Sequence, residues 1–200
     1  LDRALEMIGY KDFLQEQEQA RQQGRYLGIG MSSYIEISGL APSAVAYAIG
    51  ARAGTWESAT VRVYHTGKVT VFSGSSSSGQ GHQTAFAQIA ASSLGIPVED
   101  VDVIQGDTDK VQQGTGTFGS RSAAIGGTAI HMSVDKIKDK AKKIAAHMLE
   151  ASPDDIVFED GKLFVAGAPA EAKTFQEVAL AAYWFEGFPE DLEPGLEATS

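Results

Sequence analysis

Apolar and polar positions recur along this chain with two distinct periods. Val61 and Val63, then Val69, Val71 and Phe72, flank the turn His65-Thr66-Gly67-Lys68 and predict two strands joined as a hairpin. Ala85, Phe86, Ile89, Ala90 and Leu94 fall on one face at helical spacing, and Gly95 ends that run. Residues 101–104 read as the next strand. Ile130, Val134, Ile137, Ala141, Ile144 and Met148 then alternate by four and three, which predicts one long helix. Its other side carries Lys136, Lys138, Lys140, Lys142 and Lys143, a row that reads first as a solvated face and only second as a polyanion site. Asp160-Gly161 predicts a hairpin turn between 156–159 and 163–165. Thr174-x-x-Glu177 is a capping box that opens a last helix through Ala182. Trp184, Phe185 and Phe188 follow it, as core residues meeting further parts of the protein or as an aromatic docking patch.

The first third is weaker. A polar, Gln-rich helical stretch over 11–23 leads into strand-like residues 26–37, and a Gly/Ala-rich connection over 38–54 follows. The pattern as a whole predicts an α+β fold, with a mixed or antiparallel sheet packed by helices. Residues 1–25 form a polar helical lead-in and 26–200 an α+β core with glycine-rich loops. No linker or internal repeat divides the chain.

Two of those loops carry the candidate chemistry. Ser78-Gly79-Gln80-Gly81-His82-Gln83-Thr84 lies at a strand-to-helix elbow, where Gly79 and Gly81 allow positive φ and close approach of a ligand to the backbone. Gln80 and Gln83 add amides that both donate and accept, suited to a heterocycle or an oxo group. The plain alternative is an ordinary strand–loop–helix turn. Gly114-Thr115-Gly116-Thr117-Phe118-Gly119-Ser120-Arg121-Ser122 leads into the long helix. There Ser120 and Ser122 can cap free N–H groups, and Arg121 offers a planar fork for phosphate. Arg121 has a second reading, as a partner of Asp107 or Asp109 that pins the loop. Two helix openings side by side, with their dipoles, make a place for a polyanion.

Other site types fit poorly. Gly79 to Thr84 has two glycines of G-x-G-x-x-G but a threonine at the third, and Glu99 precedes the following strand instead of ending it. Asp107 and Asp109 alone are a weak metal signal, and no metal ligand is assigned. The formal net charge of -10 over 200 residues disfavours a nucleic-acid partner. With no cysteine, this chain holds no disulfide, Cys-ligated zinc or iron–sulfur cluster, which fits a cytoplasmic setting. No apolar run is long enough for a transmembrane helix.

Gly79 to Thr84, then Leu94-Gly95-Ile96-Pro97, Gln105-Gly106-Asp107-Thr108-Asp109 and Gly116-Thr117-Phe118-Gly119-Ser120-Arg121-Ser122, resemble the molybdenum hydroxylases. This superfamily includes xanthine dehydrogenase, aldehyde oxidase and aerobic carbon monoxide dehydrogenase. Within it the chain is most similar to the molybdopterin-binding large subunit of the carbon monoxide dehydrogenase type, from about Tyr26 to Ala198. Family large subunits are several times longer, so the chain reads as an internal piece of the molybdopterin-binding domain. The resemblance implies a molybdenum-pterin cofactor, in bacteria commonly a molybdopterin cytosine dinucleotide. It implies contacts near the metal from Gly79, Gln80, Gly81, His82 and Thr84, and at the phosphate end from Gly119, Ser120, Arg121 and Ser122. It further implies an iron–sulfur [2Fe-2S] subunit and an FAD subunit as partners, and room for a homo-oligomer. The family's catalytic glutamate sits in a later motif that is not found here, so no catalytic residue is assigned and the chain alone is expected to be inactive. Two other readings stand beside this one: a non-catalytic cofactor-binding or scaffold module, and a nucleotide-dependent dehydrogenase.

Overall fold

The computed structural model describes residues 1–40, 43–52, 54–184, 188–189 and 191–200. The chain divides into two compact units, Leu1–Ile35 and Glu36–Ser200. The first holds helices α1 (Asp2–Met7) and α2 (Tyr10–Gln22), with Gly9 between them. Gln17 Nε2 donates to Leu27 O at 2.8 Å just past α2. The strand expected over 26–37 is not formed; the segment runs without regular structure, and Tyr26, Tyr34 and Ile35 are exposed. Alternation supplies a face, but a strand also needs a neighbour for its N–H and C=O groups.

The second unit begins with α3 (Ser43–Ala48), a short helix inside the stretch that the sequence reads as a connection. β1 (Ala59–Val63) and β2 (Val69–Ser73) form the expected hairpin, with Val61 opposite Val71. Then α4 (His82–Leu94) crosses over to β3 (Val101–Gln105), which runs parallel to β2. The last strand, β7 (Leu196–Thr199), pairs antiparallel with β1, giving the mixed order β3-β2-β1-β7. Only Leu196 and Ala198 alternate there, too short a pattern to stand out in the sequence.

The side chains that alternate inward from this sheet, Val61, Val63, Val69, Val71 and Leu196, are buried. Helices α4 and α5 (Gly127–Met148) pack together and cover them. Ile130, Val134, Ile137, Ala141 and Ile144 form the apolar stripe of α5, all but closed to solvent. Each large side chain so buried is worth about 1.5–3 kcal/mol, so α5 is the main anchor of the fold. The opposite side of α5 is not a continuous lysine surface. Lys136 donates to Thr199 O, Lys138 lies over the Phe158 ring, and burial lowers the Lys140 pKa against the pull of Glu193.

A second sheet follows: β4 (Ile156–Glu159), β5 (Lys162–Val165) and β6 (Lys173–Thr174), in that order. Ile156 and Leu163 carry it into the same core. The turn of its hairpin abuts the end of α4. Gly95 closes that helix at φ +65°, and a Cβ there would lie 2.1 Å from Gly161 N. The capping box of α6 (Phe175–Ala181) is present: Thr174 Oγ1 accepts from Glu177 N at 3.2 Å, and Glu177 Oε2 accepts from Thr174 N at 2.8 Å. Phe188 packs on the core while Trp184 is exposed; Phe185 lies outside the described residues. No helix among the described residues is long and apolar enough to cross a membrane.

Candidate cofactor-binding site

The β2–α4–β3 crossover puts the first glycine-rich loop at the C-terminal end of the parallel strands, where α/β units open a crevice for ligands. Gly81 precedes the first residue of helix α4 at a φ of +80°, which only glycine adopts without cost, and no side chain caps the first turn. Ideal Cβ atoms on Gly79 and Gly81 would find no heavy atom within 4 Å. The space beside this backbone is therefore open, and the free N–H groups of the helix start face no internal acceptor from a capping side chain.

The second loop comes to the same place. Gln80, His82, Ala85 and Phe86 from the first loop and α4 line one groove together with Thr117, Phe118, Gly119, Ser120, Ser122 and Ala123, enclosing about 480 Å³. Two contacts fix the segment that leads from β2 into the first loop to the second loop. Ser76 N donates to Thr117 Oγ1 at 3.1 Å, and Gly74 packs backbone to backbone on Gly114, where a Cβ on Gly74 would lie 2.5 Å from Gly114 Cα. The sequence motifs thus meet, although residues 85–113 separate them in the chain.

Side by side, the expected site residues take different roles. Gln80 and His82 reach the groove; Gln80 Oε1 also accepts from Ser78 N at 2.5 Å, which folds the loop on itself. His82 is buried, stacked on Phe86 at 5.3 Å between centroids, and its Nδ1 lies 3.3 Å from Gln105 Oε1. Thr84 is exposed on the first turn of α4. Gln83 lines a different depression, along β3 with Thr70 and Asp102. Gly119 and Ser120 form the floor of the second loop, both at positive φ, held by Gly39 N to Ser120 O and Leu40 N to Gly119 O, each at 3.0 Å.

Three expectations are corrected. Ser120 and Ser122 do not cap the following helical turn, a π-helical stretch over Ser122–Gly126: Ser120 Oγ donates to Glu36, and Ser122 Oγ donates to Thr117 Oγ1 at 3.1 Å. Arg121 does not present its fork to the groove. Its side chain is fully buried, with Nη1 donating to Glu57 Oε2 at 3.0 Å and to Gly116 O at 2.7 Å, and Nη2 to Thr55 O at 2.5 Å and Trp56 O at 2.8 Å. Nor does Arg121 pair with Asp107 or Asp109. Asp107 binds Lys110 at 2.8 Å, and that hydrogen bond holds its carboxyl below the usual carboxylate range. Proximity in sequence favours the aspartates; the burial of Thr55, Glu57 and Ser58 beside the loop puts Glu57 there instead.

Glu57 was not legible beforehand. It sits alone before a strand, and only the need of a buried guanidinium for a counter-charge points to it. Its Oε2 also accepts from Ser75 Oγ at 3.4 Å, so the pair ties both loops to the entry of β1. The dehydrogenase reading finds no footing: the end of β3, where a ribose-binding carboxylate would stand, is Gln105.

The sequence from residue 3 to residue 200 matches the molybdopterin cofactor-binding domain family. The chain is 44% identical to the nicotine 6-hydroxylase large subunit of Paenarthrobacter nicotinovorans, with 100% of this chain and 24% of that protein covered. It is 39% identical to the carbon monoxide dehydrogenase large chain of Afipia carboxidovorans, covering 100% and 25%. Among solved structures it is similar to the Cu,Mo-CO dehydrogenase, at a TM-score of 0.76 and 40% identity over 100% of this chain and 25% of the other. The quinoline 2-oxidoreductase of Pseudomonas putida 86 matches at a TM-score of 0.74 and 43% identity, covering 98% and 25%. The chain thus spans about a quarter of the length of these relatives. By sequence and by fold, the chain belongs to the molybdopterin cofactor-binding domain family.

Proposed function

We propose that this chain forms part of the cofactor cradle in the large subunit of a molybdenum-dependent oxidoreductase. The observation that carries the proposal is the single groove built by both glycine-rich loops. Its chemistry suits a molybdenum-pterin: open glycine backbone and an uncapped helix start for anionic groups, amide and hydroxyl edges for a heterocycle. Gly79, Gln80, Gly81, His82 and Thr84 would hold it at one end, and Gly119, Ser120 and Ser122 at the other. Arg121 serves from behind, by shaping the second loop. Once bound, the cofactor supplies two-electron redox chemistry, while the protein supplies binding, orientation and electrostatics.

The cytosine dinucleotide form is the one we expect, as the resemblance of both loops to the family's motifs implies. The parent protein then hydroxylates a carbon centre or oxidises carbon monoxide. The partners we expect, as the resemblance implies, are a [2Fe-2S] subunit and an FAD subunit, which would carry the electrons onward. The 200-residue chain alone should show no turnover, because catalysis depends on positioning by the rest of the subunit.

The test is Gly81→Val in the intact large subunit. A branched side chain at φ +80° strains the elbow and fills the space a ligand approaches. Molybdenum and pterin content should fall well below one per subunit while the protein stays folded. Full occupancy in the folded variant would sink the proposal.

A further inference from the structure

We propose that Phe118 is an aromatic platform on which a planar heterocyclic ring of the bound cofactor stacks. The inference rests on the cradle reading above and adds a specific contact to it.

Phe118 lines the shared groove and is 45% exposed, although its neighbour Arg121 is fully buried. The loop turns sharply on both sides of it, through Gly116 at φ +83° and Gly119 at φ +56°. The Arg121 guanidinium carbon lies over the ring, 5.2 Å from its centroid. That guanidinium is itself fixed by Glu57 and three backbone carbonyls. One side of the ring is therefore backed by an immobile cation, an attraction that also stiffens the ring's orientation. A side chain held this way pays little entropy when a second flat group packs on its open side.

The walls of the groove match such a ligand. Ala85, Phe86 and Ala123 give it an apolar side, and Gln80, Thr117 and Ser120 a polar one. A flat ring with hydrogen-bonding edges, either the pterin or the base of a dinucleotide, satisfies both. Packing of a base on an aromatic side chain is worth enough that its removal weakens binding roughly ten- to a hundredfold.

The experiment compares Phe118→Ala, Phe118→Leu and Phe118→Tyr in the cofactor-loaded holoenzyme, with Gly81→Val as the reference for cradle failure. Cofactor release at raised temperature is followed by protein-bound molybdenum and by pterin fluorescence of the released fraction. Release should be about tenfold or more faster for the alanine and leucine variants, and near the parent rate for tyrosine. Leucine preserves apolar bulk, so a loss shared by alanine and leucine but rescued by tyrosine identifies the ring. Stripped protein is then reloaded with molybdopterin or with its cytosine dinucleotide. Faster loss of both forms from Phe118→Ala assigns the pterin ring to the platform; faster loss of the dinucleotide alone assigns the base. Unchanged release in Phe118→Ala while Gly81→Val loses cofactor overturns the platform and leaves the cradle standing. If neither substitution matters, both fall. Weakened subunit assembly in Phe118→Ala with normal retention also overturns it, because the ring then serves a protein contact.

Discussion

The backbone N–H of Ser76 donates to Thr117 Oγ1 across 3.1 Å, and this bond ties the segment that leads into the first glycine-rich loop to the second loop. The same oxygen accepts from Ser122 Oγ at 3.1 Å. Thr117→Val keeps the shape and removes the acceptor. With each lost bond worth about 0.5–1.5 kcal/mol, urea unfolding should report a loss of about 1–3 kcal/mol, and cofactor should be released faster. Thr117→Ser should behave as the parent. Equal stability of the valine and serine variants would mean that the loops do not depend on this tie.

The Arg121–Glu57 pair should dominate the second loop's stability. Both side chains are closed to solvent, so Glu57→Gln leaves a buried guanidinium without its counter-charge. Such losses run to about 3–5 kcal/mol. The double substitution Glu57→Leu with Arg121→Met should cost less than the sum of the two single ones, by about 1 kcal/mol or more. Strict additivity in a denaturation cycle would argue that the pair is not coupled.

Gly95 and Gly161 should tolerate no side chain. A methyl group at Gly95 would sit 2.1 Å from Gly161 N, against backbone that cannot swing aside. The left-handed conformation adds about 1–2 kcal/mol, and overpacking about 1–3 kcal/mol more. Gly95→Ala should therefore lower the thermal midpoint markedly and loosen the β4–β5 hairpin from α4. An unchanged midpoint would show that the contact is readily relieved.

Acid should unpick the capping box. Its hydrogen bonds from Thr174, first from the backbone N–H and then from the hydroxyl, hold the Glu177 carboxyl below the ordinary value of 4.5. A lowered folded-state value means that the unfolded chain binds more protons in this window. The stabilisation is thus complete above about pH 4.5 and fades as pH falls through the lower folded-state value. Thr174→Ala should cost about 0.5–2 kcal/mol at neutral pH, with the gap to the parent narrowing below pH 4.5. A gap independent of pH would assign the cost to the hydroxyl alone.

The elements with strong periodicity were legible in the sequence, and their reasons are local. The β1–β2 hairpin, α4 with its Gly95 stop, the α5 stripe and the capping box of α6 each follow from spacing within one element. What escaped depends on partners distant in the chain. Residues 26–37 alternate like a strand but have no ladder. β7 is four residues long and gains its place from β1. Arg121 was legible as a cation near an anion-compatible turn, yet its direction was not, because Glu57, Thr55 and Trp56 reach it only through the fold. The meeting of the loops followed from the family's motifs; the contact that fixes them, Ser76 to Thr117, did not.

Hydrogen exchange tests the shared cradle most directly. Holoenzyme and cofactor-stripped protein are compared peptide by peptide. Cofactor should slow exchange in 78–84 and in 117–122 together, and leave the β4–β5 hairpin, which contributes nothing to the groove lining, unchanged. Protection of one loop without the other, or of neither, would contradict a single site built from both.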